Sequence, residues 1–443
     1  MTTPQPGPES GSPLRHDRPG PEPESLLLRG VTMPDGSVAD VRLRGERIDQ
    51  IVTPGALAAD HELGLAGHLL LPAPVEPHAH LDKALTAEAA PNPTGDLEGA
   101  VTAWLRHRST MAREQLIERA VAAARKYLAH GATTVRTHVD VDDGIGLRSL
   151  SALLEVRDQL RDVMTIELVA FAGPLTGAAG AANRSLLAEA VAAGADVVGG
   201  CPYRDPDPYG CHELLLKLAA EHSLPVDLHT DETLQSEVVT LAGFADAVTR
   251  TGFRHGAVAS HCVSLGVQSA AAARRIAERV AAAEIAVVCL PQTNLYLQGR
   301  EHGVGVPRGL TAVRALREAG AVVAAGGDNV QDPFNSVGRA DPLETASLMV
   351  MAGHDSPEQA YAAVSEAARV AMGRPAVRLA AGQPAELMAI RGDSIREAVA
   401  SASSQRVVFH RGRVVARTTV EQVFVSPPDA ARPGRLTAIH DLR

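Results

Sequence analysis

Short apolar runs recur through the middle of the chain and alternate with stretches of helical period that are rich in Ala, Leu, Glu and Arg. The eight runs cover residues 69–80, 133–141, 164–173, 195–200, 225–232, 257–262, 286–294 and 321–329. Such repetition predicts strand–helix units, and eight of them within about 250 residues match the size of a TIM (β/α)8 barrel. We therefore predict an α/β fold built on this barrel.

Two of the intervening segments have the pattern of helices. One spans 109–129, and Ser109 or Thr110 is its candidate N-cap. The other spans 268–283. Its outer face is predicted to carry Arg274, Arg275 and Glu278.

The two ends of the chain have a different pattern, in which β-like runs alternate with turn signals. Neither end has enough strands to be stable alone, so we expect both to combine into one small composite β-sandwich domain. The predicted boundaries are 25–71 and 376–425 for the two halves of this domain, 72–375 for a metal-dependent barrel, and 426–443 for a C-terminal extension. Residues 1–24 are rich in Pro, Gly, Ser and Glu and predict a disordered tail.

Composition restricts the partners and the compartment. Acidic residues outnumber basic ones 52 to 42, and the absence of a Lys/Arg-rich tract argues against nucleic acid as a partner. The 4 cysteines form no CxxC pair, which suits a reducing compartment. No apolar run reaches the roughly 18 residues of a membrane helix, and no signal peptide is evident. We expect a cytoplasmic protein without a membrane partner.

Polar residues gather at the C-terminal ends of four predicted barrel strands, where active groups of such barrels lie. Because side chains alternate along a strand, His78 and His80 point to the same side and can reach one cation together. His229 and Asp328 complete three imidazoles and one carboxylate, a ligand set for one Zn²⁺ or Fe²⁺ with a position left open. A lone histidine is more often an ordinary hydrogen-bonded residue, but four clusters at four strand ends favour a metal site.

Such a metal would lower the pKa of bound water to about 7, so that a hydroxide attacks at neutral pH. When a ring carbon is attacked, the amine departs only if it is protonated. Glu232 is the best-placed proton donor, and His261 can orient the hydroxide or stabilise developing negative charge. Asp328 can accept the proton of the water while it holds the metal. No Ser or Cys nucleophile is required.

Other polar residues near the strand ends allow two interpretations each. Lys83 can anchor a substrate carbonyl or balance the charge of Asp82, and Asn294 and Gln298 can contact the ring or cap a loop. Trp104 can cover the pocket or pack in the core. Pocket lining and solvated loop charge both remain open for Asp82, Lys83, His138, Asp140, Asp142 and Asp143.

The chain resembles the amidohydrolase superfamily, and within it the cytosine deaminase-like branch that also contains N-isopropylammelide isopropylaminohydrolase. The matching stretches are VEPHAHLDKALTAE, TTVRTHVDVDD, ELVAFAG, HTDE, ASH, NLYLQGR and GGDNVQDPF. The resemblance implies a single metal ion, Zn²⁺ or Fe²⁺, held by His78, His80, His229 and Asp328. It also implies that Glu232 and His261 handle protons, and it suggests a homo-oligomer.

Three departures from cytosine deaminases restrict the substrate. Gly173 stands where those enzymes carry a glutamine that grips the pyrimidine, and Asn329 and Phe334 replace an Asp and a Trp. Lys83 and Asn329 are more similar to the isopropylammelide hydrolase. We therefore predict a deaminase that acts on a small amino- or alkylamino-substituted nitrogen heterocycle other than cytosine. The alternatives are a cyclic amide hydrolase and a non-catalytic barrel scaffold.

Overall fold

The computed structural model describes residues 25–178 and 180–423. The predicted tail 1–24 and the extension 426–443 lie outside these residues. The strands are β1 (Ser25–Thr32), β2 (Val38–Arg44), β3 (Arg47–Val52), β4 (His61–Gly64), β5 (His68–Pro72), β6 (Glu76–Ala79), β7 (Thr134–Val141), β8 (Thr165–Ala172), β9 (Val197–Gly200), β10 (Val226–Thr230), β11 (Ala257–His261), β12 (Ile285–Cys289), β13 (Val323–Ala325), β14 (Leu387–Arg391), β15 (Arg406–His410) and β16 (Arg413–Arg417). The α-helices are α1 (Leu97–Arg108), α2 (Arg113–Ala129), α3 (Arg148–Leu160), α4 (Gly180–Ala192), α5 (Pro208–His222), α6 (Thr240–Thr251), α7 (Ala270–Ala282), α8 (Pro291–Leu297), α9 (Val313–Glu318), α10 (Pro342–Met351), α11 (Pro357–Val364), α12 (Glu366–Ala371) and α13 (Ile395–Ser401).

The strands from β6 to β13 form the barrel that the sequence predicts. They pair in parallel in chain order, and each of the eight apolar runs contributes one of them. The barrel closes between its first and last strands through a bridge between Ala79 and Asp328, where the Asp328 amide donates to the His78 carbonyl at 3.0 Å. Closure therefore places Asp328 beside the first strand.

The first apolar run serves two sheets. Residues 69–72 belong to β5 in the sheet formed by the chain ends, whereas 76–79 form β6 of the barrel. Pro72 ends β5 and Pro74 lies in the connection, and their missing N–H groups interrupt the ladder. One continuous hydrophobic pattern thus contains a change of sheet.

Both chain ends contribute to one composite β-structure, as predicted. Its eight strands form a mixed sheet in the order β16-β15-β14-β5-β1-β2-β3, with β4 paired to β1. The ends meet where β14 pairs antiparallel with β5. Buried apolar side chains from both ends form its core, among them Leu28, Val41, Leu70, Leu387 and Phe409.

One predicted helix begins at a different residue. The segment 109–129 contains α2, which begins at Arg113 and has Ala112 at its N-cap without a side-chain hydrogen bond. Ser109 and Thr110 instead end α1, and the Thr110 hydroxyl donates to the His107 carbonyl at 2.8 Å. The prediction was wrong here because a hydroxyl residue can serve either end of a helix.

The other helix prediction is confirmed. The segment 268–283 forms α7, and the side chain of Ser269 accepts a hydrogen bond from the Ala272 amide at its N-terminus. Arg274, Arg275 and Glu278 are exposed. Within residues 25–178 and 180–423, none of the helices combines the length and the apolar composition needed to cross a membrane.

Arg406 connects the composite sheet to the barrel. Its side chain is 1% exposed and donates two hydrogen bonds to Asp341, the N-cap of α10, at 2.9 and 2.7 Å. It also donates to the His130 carbonyl at 2.5 Å, just beyond the end of α2. If Arg406 were removed, the buried Asp341 carboxylate would lose the one ion pair that it forms among the described residues.

We expect Arg406→Ala to lower the free energy of unfolding by about 3–5 kcal/mol, because it leaves Asp341 buried and unpaired. Urea-induced unfolding measures this loss. Arg314→Ala is the matched control, because Arg314 is 90% exposed and pairs only with Glu318 on the surface. The control should stay within about 0.5 kcal/mol of the parent protein. An Arg406→Ala value equally small would show that the pair adds nothing to stability.

Candidate metal centre

Three barrel strands bring the predicted ligands to one end of the barrel, and a fourth adds His261. His78 lies in β6 and His80 follows it, His229 lies in β10, and Asp328 follows β13. His261 ends β11 and lies among them. All five residues are buried. The C-terminal ends of parallel barrel strands share one face, so residues far apart in sequence become neighbours.

The side-chain atoms of these residues converge. Nε2 of His80 lies 3.2 Å from Nε2 of His229 and 3.4 Å from Oδ1 of Asp328. Nε2 of His78 lies 3.7 Å from the same Asp328 oxygen, and Nε2 of His261 lies 3.9 Å from Oδ2. Two overlapping sets, His78 with His80 and His229, and His78 with His261 and Asp328, offer ligand atoms within 4.8 Å of one another.

The protonation of this cluster suits a cation. Burial lowers the pKa of His78, His80 and His229 well below the usual value, so the imidazoles are neutral and can act as ligands. Burial raises the pKa of the Asp328 carboxyl well above its usual value. Among the described residues, the cluster therefore combines neutral imidazoles with a carboxyl group that has no cationic partner. A bound cation would supply that partner.

Several polar atoms of the cluster have no hydrogen-bond partner although they are fully buried. They are Nε2 of His78, Nδ1 of His229, Nε2 of His261 and both carboxyl oxygens of Asp328. Leaving such groups unpaired costs about 1–3 kcal/mol each. A divalent metal ion satisfies imidazole and carboxyl lone pairs together, so these residues fit a metal ion.

The backbone at the centre is strained. His261 and Asp328 adopt φ angles of 69° and 64°, in the left-handed region that non-glycine residues rarely enter. Residues held in this way cost about 1–3 kcal/mol each and cluster at functional sites. For Asp328, the bridge to β6 holds the strained conformation.

Glu232 lies beside the cluster. Its Oε1 is 3.5 Å from Nδ1 of His261 and 3.4 Å from Nδ2 of Asn294. Burial raises the pKa of its carboxyl to about 8. A carboxyl with this pKa is largely protonated at neutral pH and can donate a proton.

A cavity of about 380 Å³ opens above the cluster. Its polar floor is formed by His80, His229, Glu232, His261 and Asp328. One face of α1 covers it with Leu97, Val101, Trp104, Leu105 and Arg108. The aromatic ring of Phe171, whose centroid lies 4.3 Å from that of His229, and the ring of Phe334 also line it. The cavity therefore joins a reactive floor to apolar walls.

The structure separates the six predicted substrate-binding residues into two groups. Lys83, Gly173, Asn329 and Phe334 line the cavity. Asn294 and Gln298 do not belong to its lining. Nδ2 of Asn294 lies 3.1 Å from Nδ1 of His261, behind the floor, and Nε2 of Gln298 donates to the Glu232 carbonyl at 3.2 Å.

Lys83 belongs to a buried network of charges on one wall. Its Nζ donates to Asp140 at 2.7 Å and lies 3.3 Å from Asp82 and 3.4 Å from Nδ1 of His80. Trp104 Nε1 also donates to Asp140, at 2.6 Å. Trp104 is thus both buried and part of the wall, which combines its two proposed roles.

Arg108 extends this network. It donates to Asp140 at 3.1 Å and to both carboxyl oxygens of Asp142, at 2.7 and 2.8 Å. Asp143 is exposed, and His138 is fully buried below the floor. Of the loop charges whose roles were open, Asp140 and Asp142 line the cavity.

Apart from Trp104, the residues that α1 and the segment after β9 contribute to the cavity were not predicted from the sequence. Positions 97, 101, 104, 105 and 108 repeat at helical spacing, so this signal was available. Cys201, Tyr203 and Arg204, which follow β9, also line the cavity. They lie at a single 3-10 turn, Pro202–Arg204, which is too short to show a periodic pattern, so the sequence offered no comparable signal.

Comparison with known proteins gives consistent matches. The amidohydrolase family matches residues 87–416. A pterin deaminase of Rhizobium rhizogenes strain K84 is 33% identical over 406 residues, which cover 90% of this chain and 90% of that protein. The crystal structure of 5-methylcytosine deaminase from Klebsiella pneumoniae is similar with a TM-score of 0.82 and 27% identity, over 90% of this chain and 99% of that one. That of N-isopropylammelide isopropylaminohydrolase from Burkholderia multivorans has a TM-score of 0.76 and 30% identity, over 89% and 98%.

Proposed function

Because the chain belongs to the amidohydrolase family, we propose that it is a metal-dependent deaminase of an amino- or alkylamino-substituted nitrogen heterocycle. The convergence of three histidines and one aspartate from three barrel strands below a cavity carries this proposal. The relatives are named for reactions on pterin, 5-methylcytosine and N-isopropylammelide, all of them nitrogen heterocycles. Two of these three are named as deaminases, which favours ammonia as the leaving group.

We propose that His78, His80, His229 and Asp328 hold one Zn²⁺ or Fe²⁺. When bound, such an ion supplies a nucleophile at neutral pH because it makes coordinated water more acidic. The three neutral imidazoles leave the charge of the ion only partly balanced, so Asp328 supplies the neighbouring negative charge. The unpartnered lone pairs of Asp328 support this assignment.

Glu232 is proposed to hold the proton that the departing nitrogen requires. Its pKa of about 8 keeps the carboxyl largely neutral at pH 7. His261 lies between Glu232 and Asp328 and can donate a hydrogen bond to an oxygen on the attacked carbon. Asn294 contacts both Glu232 and His261 and holds this pair in position.

The cavity walls suit a flat ring. Phe171 and Phe334 offer aromatic surfaces, and Lys83 and Asn329 line the same cavity and are proposed to bind a ring carbonyl or ring nitrogen. A Cβ atom at Gly173 would lie 3.0 Å from both Nδ2 of Asn183 and Cβ of Asp142. A glutamine at this position would therefore require neighbouring side chains to move, which supports a substrate other than cytosine.

The decisive experiment joins metal analysis to product identification. Purified protein is assayed for bound zinc and iron and then incubated with aminopyrimidines, aminotriazines, aminopurines and pterins. We expect about one metal ion per chain and release of ammonia or a free amine from at least one class. A ring-opened acid without ammonia would instead identify a cyclic amide hydrolase, and metal-free protein without turnover would support a scaffold.

Lys83→Met tests whether the ammonium group binds substrate. A lost hydrogen bond to a charged group costs about 1.5–3 kcal/mol, so we expect KM to rise at least tenfold with little change in kcat. Lys126→Met is the matched control on the exposed side of α2. If KM is unchanged and only stability falls, Lys83 serves to balance the charges of Asp82 and Asp140.

We further propose that the protein is a cytoplasmic homo-oligomer. All four cysteines are free, as expected in a reducing compartment. The resemblance to oligomeric enzymes is the basis for the assembly. Light scattering coupled to size-exclusion chromatography tests it, and a mass of about 46.3 kDa would show a monomer.

A further inference from the structure

Below the metal centre, His78 contacts a chain of buried polar side chains that the proposed reaction does not use. Its Nδ1 lies 2.9 Å from the Ser260 hydroxyl, and that hydroxyl lies 3.0 Å from Oδ1 of Asp227. Oδ2 of Asp227 accepts a hydrogen bond from Arg136 at 3.0 Å. Each of these residues is at most 1% exposed. These contacts are therefore shielded from bulk solvent.

Burial raises the pKa of the Asp227 carboxyl, whereas the Arg136 guanidinium at 3.0 Å opposes this rise and favours the ionised form. Arg136 also donates to Glu167 at 3.0 Å, and Arg374 donates to Glu167 at 2.8 Å. Two guanidinium groups, which remain protonated, thus face two carboxyl groups. The charges balance when both carboxyl groups, including that of Asp227, are ionised.

An ionised Asp227 determines the direction of each hydrogen bond between Asp227 and His78. A carboxylate only accepts hydrogen bonds, so the Ser260 hydroxyl donates its single proton to Oδ1 of Asp227. The oxygen of Ser260 is then an acceptor towards His78, and Nδ1 of His78 must carry the proton. In a neutral imidazole this leaves Nε2 without a proton, and Nε2 is the His78 atom that faces Asp328 at 3.7 Å.

We propose that Ser260 and Asp227 are positioning residues that hold His78 in the one tautomer able to bind a metal ion through Nε2. This inference rests on the metal site of the proposed function. Partners that fix the tautomer of a ligating histidine change metal affinity by about 10–100-fold when they are mutated. His138 also lies near Asp227, but its Nε2 is 3.7 Å from Oδ1, too far for a hydrogen bond.

Asp227→Asn reverses the direction of the hydrogen bonds that run from residue 227 through Ser260 to His78. Arg136 donates to the position of Oδ2, so the amide carbonyl of Asn takes that position and the NH₂ group faces Ser260. The Ser260 hydroxyl must then accept from the NH₂ group, and its own proton turns towards His78. Nδ1 of His78 becomes an acceptor, Nε2 carries the proton, and the ligand atom is blocked.

The reversal predicts an unusual result for the double variant. Ser260→Ala alone removes the acceptor for Nδ1 and leaves the tautomer free. When combined with Asp227→Asn, it also removes the hydroxyl that would force the wrong tautomer. The double variant should therefore bind the metal more tightly than Asp227→Asn alone. If the two substitutions were independent structural defects, their losses of metal affinity would add instead.

Metal affinity of the full-length protein tests this directly. Protein stripped with a chelator is titrated with Zn²⁺ against a chromophoric chelator, and the thermal stability of the stripped protein is measured in parallel. We expect Ser260→Ala to weaken Zn²⁺ binding about tenfold and Asp227→Asn up to about 100-fold. Ser264→Ala is the matched control, because Ser264 is buried after the same strand and its hydroxyl has no hydrogen-bond partner.

The outcomes separate this inference from the proposed function. If the parent protein binds Zn²⁺ and both single variants bind it equally well, the positioning role is wrong while the metal site stands. A double variant weaker than Asp227→Asn would also overturn the tautomer reversal. If the parent protein binds neither Zn²⁺ nor Fe²⁺, the proposed function and this inference both fall. Should Asp227→Asn not fold, Ser260→Ala compared with Ser264→Ala still decides the case.

Discussion

Glu232→Gln is expected to lower kcat by about 100- to 10,000-fold on a confirmed substrate while metal binding stays unchanged. General acid–base catalysis by a positioned side chain contributes a factor of this size. Glutamine keeps the size of the side chain, and its carbonyl can still accept from Nδ2 of Asn294. It cannot transfer a proton to the departing nitrogen. The loss should therefore appear in kcat and not in the metal content.

Metal analysis and steady-state kinetics measure the two quantities on the same preparation. Glu237→Gln is the matched control, because Glu237 lies five residues further along the same segment and is exposed. It should keep the kcat of the parent protein. A Glu232→Gln variant with undiminished kcat would remove Glu232 from the mechanism, whereas loss of the metal would make Glu232 part of the metal site instead.

The sequence predicted the barrel well because its strands are buried on both sides. Parallel strands of this kind appear as continuous apolar runs, and every run contributed a strand. Ligand positions followed from the same pattern, since a polar residue at the end of such a run lies at the C-terminal face. His229 and Asp328 could therefore be placed near His78 although they are far apart in sequence.

The cavity was harder to predict because its walls come from loops and from α1. Trp104 and Arg108 were visible in the sequence, but their contacts with Asp140 depend on how α1 folds over the barrel. Asn294 was left with two interpretations for a related reason. It lies at the C-terminal side of β12, yet the helical turn of α8 directs it behind Glu232 and not into the cavity.

The hydrogen bonds that connect His78, through Ser260 and Asp227, to Arg136 could not be predicted from the strand pattern. Ser260 directly precedes His261, which was predicted to handle protons, and Asp227 lies two residues before the predicted ligand His229. Alternation along a strand therefore places Asp227 on the same side as His229 but does not place Ser260 beside His261. Their hydrogen bond depends on the register of β10 and β11, in which Asp227 pairs with Val258. Strand registers follow from the closed barrel and were not available from apolar periodicity.

Asp328→Ala should lose both metal and turnover. Asp328 supplies the only carboxylate among the proposed ligands, so we expect metal affinity to fall by more than about 100-fold, beyond the effect of a residue that merely orients a ligand. The bound ion contributes several kcal/mol to the reaction, and each 1.4 kcal/mol is a factor of ten, so kcat should fall more than about 1,000-fold. Zinc and iron content, together with kcat, check both losses.

Asp328→Asn separates a metal ligand from a structural residue, because it keeps the volume of the side chain. Burial raises the pKa of Asp328 well above its usual value in the metal-free fold. Above about pH 4 the unfolded chain releases the proton of this carboxyl, whereas the folded metal-free protein retains it. The free energy of unfolding of the metal-free protein therefore falls as pH rises. We expect metal-free Asp328→Asn to be at least as stable as the parent at pH 7, with a smaller difference at pH 4. A marked loss of stability in the metal-free variant would identify Asp328 as a structural residue and leave the cation without its carboxylate.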